Sequence, residues 1–154
     1  MKLTTKGRFA VTAMVDIALH RNETPIRIAT ISERQSISYT YLEQIFCKLR
    51  RAGIVISTRG PGGGYRLAHP AAEISIASII EAVDEDIDAT QCHGGEGCTG
   101  GATCLTHHLW DELNQCMNQF LSNVTLADMV QRNHDNQQKR TVHVPARIPV
   151  RQHD

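Results

Sequence analysis

The chain has 154 residues, 41% hydrophobic and 21% charged, with a formal net charge of zero at neutral pH. That length allows one domain-sized core with appendages and little more. No apolar run reaches the length of a membrane span, and the opening MKLTTKGRFAV lacks the apolar core and small-residue cleavage site of a secretory signal. The expectation is a soluble, cytoplasmic protein with no membrane partner, and in that reducing setting five cysteines, an odd number, point to thiolate ligands before a disulfide framework.

The zero net charge hides a polarity along the chain. Residues 1–66 carry eleven Lys/Arg against four Asp/Glu, residues 67–138 carry one against eleven, and residues 139–154 carry four against one. A basic first half suits a polyanionic partner, whereas an acidic second half repels DNA and must do something else. Surface scatter is the plainer reading, so the motifs have to decide.

From Thr5, TKGRFAVTAMVDIALHR sets Phe9, Ala13, Met14, Ile17 and Ala18 on one stripe at helical spacing, with Lys6 and Arg8 in its basic first turns. After Pro25 a short helix turns Ile28 and Ile31 to one face. Ser36 and Ser38 then flank a tight turn, with Ser38 as N-cap of YTYLEQIFCKLRRAG, where Leu42, Ile45, Phe46 and Leu49 face inward and Gly53 stops the helix. The outward set of this second helix is Tyr39, Thr40, Glu43, Gln44 and Lys48, and Ser38 and Tyr41 belong to the same candidate DNA-binding stretch. Two short helices joined by such a turn match a helix-turn-helix whose second helix enters the major groove. A generic helical hairpin would show the same periodicity.

IVISTRGPGGGYRLA follows, with strand-like runs at 54–58 and 65–68 separated by RGPGGG. A hairpin directly after a recognition helix is a wing, with Arg59, Gly60 and Arg66 available to phosphates or to the minor groove. A phosphate-cradling nucleotide loop needs a Lys-Ser/Thr and an opening helix after the glycines, and neither is present.

In the acidic half, Ile76, Ile79, Ile80 and Val83 form a short helical stripe suited to packing on the winged domain. A longer run from Cys104 carries Leu105, Leu109, Leu113, Cys116, Met117, Phe120 and Leu121 as an apolar stripe over roughly 25 Å, with Trp110 beside it. Either the chain's own core covers that stripe or a second copy does, and symmetric recognition of a palindrome favours the homodimer. Thr125 caps a last short helix. Beyond Asn133 the chain has no apolar periodicity and reads as a disordered basic tail.

Between these helices lies QCHGGEGCTGGATCLTHHLW. Cys92, Cys98 and Cys104 are spaced at six-residue steps, the intervening segments contain five glycines, and His107 follows Cys104 by one helical turn. A four-ligand Cys3His site is sterically reasonable. Zinc accepts such a set tetrahedrally, and an iron–sulfur cluster accepts imidazole in place of thiolate. The spacing matches neither zinc ribbons nor ferredoxins, and His93 and His108 compete locally with His107, so periodicity settles neither the metal nor the imidazole. An enzyme using Cys104 and His107 as nucleophile and base would need an oxyanion-stabilising group that the sequence does not offer, so no catalytic residues are expected.

Taken together, LTTKGRFAVTAMVDIAL, ISERQSIS, YLEQIF, RGPGGGY, AVDEDIDATQC and CLTHHLWDELN resemble the IscR family of bacterial iron–sulfur cluster regulators, which are winged-helix repressors. The resemblance runs from Met1 to about residue 130 and implies a mainly α fold with a small β-hairpin wing and a long dimerisation helix. It implies a homodimeric transcription factor that binds a 2Fe-2S cluster through Cys92, Cys98, Cys104 and His107. Such a factor receives clusters from iron–sulfur cluster donor proteins and represses or activates cluster-assembly genes at double-stranded operator DNA. His93, His108, Cys47 and Cys116 fall outside the ligand pattern.

The expected organisation is a winged-helix domain with its packing helix at 1–84, a cluster-binding loop at 85–108, a dimerisation helix and C-terminal helix at 105–132, and a tail at 133–154. In this reading Lys/Arg side chains supply salt-dependent affinity, while Thr40, Glu43 and Gln44 read or reject base edges. Glu43 near phosphates is repulsive unless it meets a donor such as cytosine N4; otherwise it is a surface helix charge. A zinc-stapled regulator with the same fold is the alternative.

Overall fold

A computed structural model describes residues 4–20, 24–83, 85 and 105–142. It is mostly helical with a two-stranded antiparallel hairpin, as the sequence indicates: α1 (Thr5–Leu19), α2 (Ile28–Gln35), α3 (Tyr39–Arg51), β1 (Val55–Thr58), β2 (Gly64–Leu67), a 3-10 turn (Ala71–Glu73), α4 (Ile76–Ala82), α5 (His107–Asn123) and α6 (Leu126–Val142). None of the described helices is long and apolar enough to cross a membrane.

The core forms where the helical stripes converge. Ala13, Met14 and Ile17 of α1, Ile31 of α2, Leu42, Ile45, Phe46 and Leu49 of α3, and Ile79 of α4 are almost wholly excluded from water. Each large side chain among them contributes roughly 1.5–3 kcal/mol through burial. Phe9 of the predicted α1 stripe is only half-buried. Its ring instead meets Tyr41 edge-on, with centroids 5.8 Å apart.

Among the described residues, one charged side chain lies inside this core. Asp16 is 1% exposed, and its carboxylate accepts from Arg34 Nε (3.0 Å), Arg34 Nη2 and Gln35 Nε2 (2.7 Å). Burial of a carboxylate is tolerated only with such donors in place. The network ties α1 to the last turn of α2, immediately before the turn that leads into α3. Ser36 makes that turn in the left-handed conformation (φ +54°), and α3 begins without a side-chain bond from Ser38, although Ser38 occupies the N-cap position.

The wing has the register Val55↔Leu67, Ile56↔Arg66, Ser57↔Tyr65 and Thr58↔Gly64. Its tip closes through Gly63 N–H donating to Gly60 O at 2.9 Å, with Pro61 and Gly62 (φ +77°) between them, the residue pattern of a type II turn. Ile26 adds a bridge that the sequence reading missed: Ile26 N–H donates to Tyr65 O (2.8 Å) and Tyr65 N–H to Ile26 O (2.7 Å). Gly64 makes that approach possible, since a Cβ there would stand 2.5 Å from Ile26 O.

The second half differs from expectation in two respects. Leu105 precedes α5 in a turn and is fully exposed, so the apolar stripe of α5 starts at Leu109 rather than at Leu105. The helix assigned to a short LADMVQR segment continues as α6 to Val142, so residues 133–142 are helical and not tail. Leu126, Met129 and Val130 pack on the core, and beyond them Gln131 Nε2 donates to Asp135 Oδ1 (3.0 Å) and Asn133 Nδ2 to Met129 O (2.9 Å). The remainder of the proposed tail, 143–154, lies outside the described residues.

Candidate nucleic-acid interface and cluster site

Three elements carry the residues singled out for DNA, and two aromatic contacts hold these elements together. Phe9 against Tyr41 fastens the beginning of α1 to the beginning of α3, so Arg8 and Thr40 sit beside packed neighbours. Phe46 against Tyr65, centroids 4.7 Å apart, fastens the middle of α3 to β2 of the wing. The interior faces of these aromatics thereby fix the relative placement of the outward side chains.

Tyr39, Thr40, Glu43 and Gln44 are exposed on α3, as is Ser38 just before it. Tyr41 is half-buried by its contact with Phe9, which makes it a packing residue as well as a candidate contact. Lys48 is half-buried and, with Arg51, Ser78 and Glu81, borders a shallow cavity between the end of α3 and α4. Arg59 and Gly60 are exposed at the wing tip, and Arg66 is exposed opposite Ile56 on the outer face of the hairpin. Lys6 is half-buried and Arg8 exposed at the start of α1. Arg50 and Arg51, exposed at the end of α3, are further basic residues that the sequence reading left out. Their signal was present in KLRR, a cationic last turn that also complements the helix dipole.

The Asp16 network was missed too. An Asp between Val15 and Ile17 in an otherwise apolar stretch of α1 was its signal, because a carboxylate on the buried side of a helix requires donors. Hydrogen bonding to Asp16 in turn raises the Arg34 guanidinium pKa above its ordinary value.

Of the four residues expected as cluster ligands, the structure describes His107. His107 opens α5, half-buried, its ring 5.9 Å from that of His108 in an edge-on arrangement. Cys92, Cys98 and Cys104, like His93, lie outside the described residues. Among the described residues no group of three or more His, Cys, Asp or Glu is gathered as a metal site. The donor set itself, three thiolates and an imidazole at a helix start, suits iron–sulfur ligation chemically. Cys47 is partly buried on α3 and Cys116 exposed on α5, each with a free thiol.

The helix that starts with His107 has no buried residue. Leu113, Met117 and Leu121 are half-buried, while Leu109 (57%), Trp110 (39%) and Phe120 (59%) are exposed. The Trp110 indole N–H donates to Thr106 Oγ1 at 3.1 Å, which pins the ring along the first turn. At its far end α5 is anchored: Ile76 N–H donates to Val124 O and Leu126 N–H to Ile74 O, both 2.9 Å, and Val124 and Leu126 enter the core.

Comparison with known proteins agrees with this arrangement. The family model described as Rrf2, iron-dependent transcriptional regulator, matches residues 3–132. The chain is 56% identical over 133 residues to the HTH-type transcriptional regulator IscR of Vibrio atlanticus, covering 86% of this chain and 77% of that protein. It is 58% identical over 130 residues to IscR of Serratia proteamaculans, covering 84% and 79%. Among solved structures, T. potens IscR superposes with a TM-score of 0.74 at 34% identity over 89% of this chain and 91% of that one. CymR, the global cysteine regulator of B. subtilis, superposes with a TM-score of 0.75 at 29% identity over 86% and 98%. With a helix-turn-helix, a glycine-tipped wing and a family match across nearly the whole described length, the chain belongs to the Rrf2 family of iron-dependent, winged-helix transcriptional regulators.

Proposed function

We propose that this regulator senses iron–sulfur cluster supply and controls cluster-assembly genes, binding palindromic operators in the cytoplasm as a homodimer. Its ligands in this reading are Cys92, Cys98, Cys104 and His107, loaded by iron–sulfur cluster donor proteins. The observation that carries the reading is the position of His107: it is the first residue of α5, and α5 is the helix whose apolar residues Leu109, Trp110 and Phe120 stand uncovered in a single chain. A candidate ligand and a candidate dimer surface therefore share one rigid element.

A bound 2Fe-2S cluster supplies a reversible crosslink among three thiolates and one imidazole, one that cluster shortage or oxidation removes. The rest is done by the chain. Leu109, Trp110 and Phe120 bury against a second copy and set the separation of the two α3 helices, which a palindrome reads as half-site spacing. Lys6, Arg8, Arg59 and Arg66 neutralise phosphates, a contribution independent of sequence that fades with salt. Thr40 and Gln44 meet base edges, and Glu43 penalises sites that offer it no donor.

The test is an absorption spectrum of protein purified without oxygen. The proposal expects visible-range charge-transfer bands that disappear in Cys92→Ala, Cys98→Ala and Cys104→Ala and persist in Cys47→Ser and Cys116→Ser. Greater cluster loss in His107→Ala than in His108→Ala would support the imidazole assignment. A colourless protein holding zinc would overturn the cluster reading while leaving the winged-helix regulator intact.

A further inference from the structure

The N-terminal turn of α1 is completed by a residue from far along the chain. Lys6 N–H donates to Thr4 Oγ1 (3.3 Å) and Arg8 N–H to Thr4 O (3.2 Å), which leaves Gly7 N–H between them. Its acceptor is Glu85 Oε2, at 3.1 Å, 78 residues away. Gly7 is buried, so water cannot readily replace that acceptor. No acidic residue lies in the first turn of α1 itself. Glu85 thus supplies the anion that a helix N-terminus attracts, and supplies it from outside the helix. Glu85 is itself held, because its own N–H donates to Ile80 O of α4 at 3.4 Å. Ile80 is in the core, so that bond ties Glu85 to α4.

The two residues that flank Gly7 are Lys6 and Arg8, the basic residues of α1 assigned to DNA. We propose that Glu85 is a positioning residue for DNA binding: by accepting from Gly7 N–H it fixes the first turn of α1 and so presents Lys6 and Arg8 to the phosphate backbone. This rests on the reading that the start of α1 faces DNA. A carboxylate near phosphates opposes binding through charge alone, so its charge and its reach make opposite predictions.

Binding of the full chain to a mixed-sequence DNA duplex, measured by fluorescence anisotropy over a salt series, separates them. Glu85→Asp keeps the charge and loses about one methylene of reach. It is expected to weaken binding about fivefold, the scale of a lost helix cap, and to lower the salt slope toward that of a protein with one phosphate contact fewer. Glu85→Gln keeps an acceptor oxygen at full reach and is expected to bind at least as tightly as the parent. In a Lys6→Ala/Arg8→Ala background, Glu85→Asp is expected to add no further loss, as coupling through those two side chains requires.

Equal affinity and slope for Glu85→Asp and the parent would overturn the proposal, as would an undiminished effect in the Lys6→Ala/Arg8→Ala background. If Lys6→Ala/Arg8→Ala alone changed neither affinity nor slope, the start of α1 would not be a DNA surface, and the underlying reading would fail together with the proposal. Loss of binding in Glu85→Gln equal to that in Glu85→Asp would also overturn it, since the hydrogen-bond acceptor would then not be what matters.

Discussion

Arg34 donates to the carboxylate of Asp16 from both Nε and Nη2, joining the last turn of α2 to the buried side of α1. Gln35 Nε2 adds a third donor to the same carboxylate. The pair sits directly before Ser36, where the chain turns toward α3.

Arg34→Ala leaves a buried carboxylate with the Gln35 hydrogen bond and His20 Nδ1 3.6 Å away. Roughly 3 kcal/mol of stability should be lost, the low end for an unpaired buried charge because Arg34 is itself 32% exposed. Urea unfolding of the parent and variant measures this. A loss within about 0.5 kcal/mol, the level of an ordinary surface change, would mean that the pair does not hold the helices together.

Positioning and reading should separate at the DNA surface. Arg59→Ala, at the exposed wing tip, should cost on the order of 1–3 kcal/mol if the wing enters a groove, and should reduce the salt slope by about one unit if a phosphate contact is lost. Gln44→Ala should instead change which bases are preferred. Binding to a panel of duplexes at several salt concentrations checks both, and a sequence-neutral loss at Gln44 would contradict its role as a reader.

The junction between α5 and α6 should be sensitive to acid. Thr125 N–H (2.9 Å) and Thr125 Oγ1 (3.0 Å) donate to Asp128 Oδ2, and Asp128 N–H donates back to Thr125 Oγ1 (3.2 Å). These bonds, the backbone one foremost, hold the Asp128 carboxyl below its ordinary pKa. A depressed folded-state pKa contributes stability that is present above the unfolded value, about 4, and is lost as pH falls through the folded value. Thermal unfolding of the parent and Asp128→Ala should therefore differ at neutral pH and converge in acid. A difference that stayed constant across that range would show that ionised Asp128 is not the stabilising species.

Helical spacing made most of the DNA-binding half legible. Met14 and Ile17, Ile28 and Ile31, Leu42, Ile45, Phe46 and Leu49, and Ile76, Ile79, Ile80 and Val83 are buried as their periods require, and RGPGGG closes as a wing tip. Ile26 was not legible, because a single-residue bridge to Tyr65 has no periodicity and depends on a neighbour 39 residues away. The extent of α6 was missed for a related reason. Its first turns carry Leu126, Met129 and Val130, but the turns after residue 130 have no apolar stripe to read, and composition alone made residues 133–142 look like tail. Glu85 was likewise invisible, since its acceptor role is set by the packing of α4 on α1 and not by any local motif. In the candidate cluster site, the spacing of the three cysteines and His107 was readable, whereas the choice of metal was not, because Cys3His serves zinc and iron–sulfur chemistry alike.

If cluster and operator are coupled through one dimer, the factor by which the cluster changes operator affinity must equal the factor by which that operator changes cluster affinity, since both express one coupling free energy. Equilibrium cluster transfer to a competing apo-acceptor, with and without saturating operator, tests this alongside operator affinities for holo and apo dimers. Matching factors are expected for every operator, including no effect on cluster retention by an operator that both forms bind equally. A tenfold shift in operator affinity with no reciprocal shift in cluster affinity would contradict that coupling, and would reduce the cluster to a staple for the loop before α5.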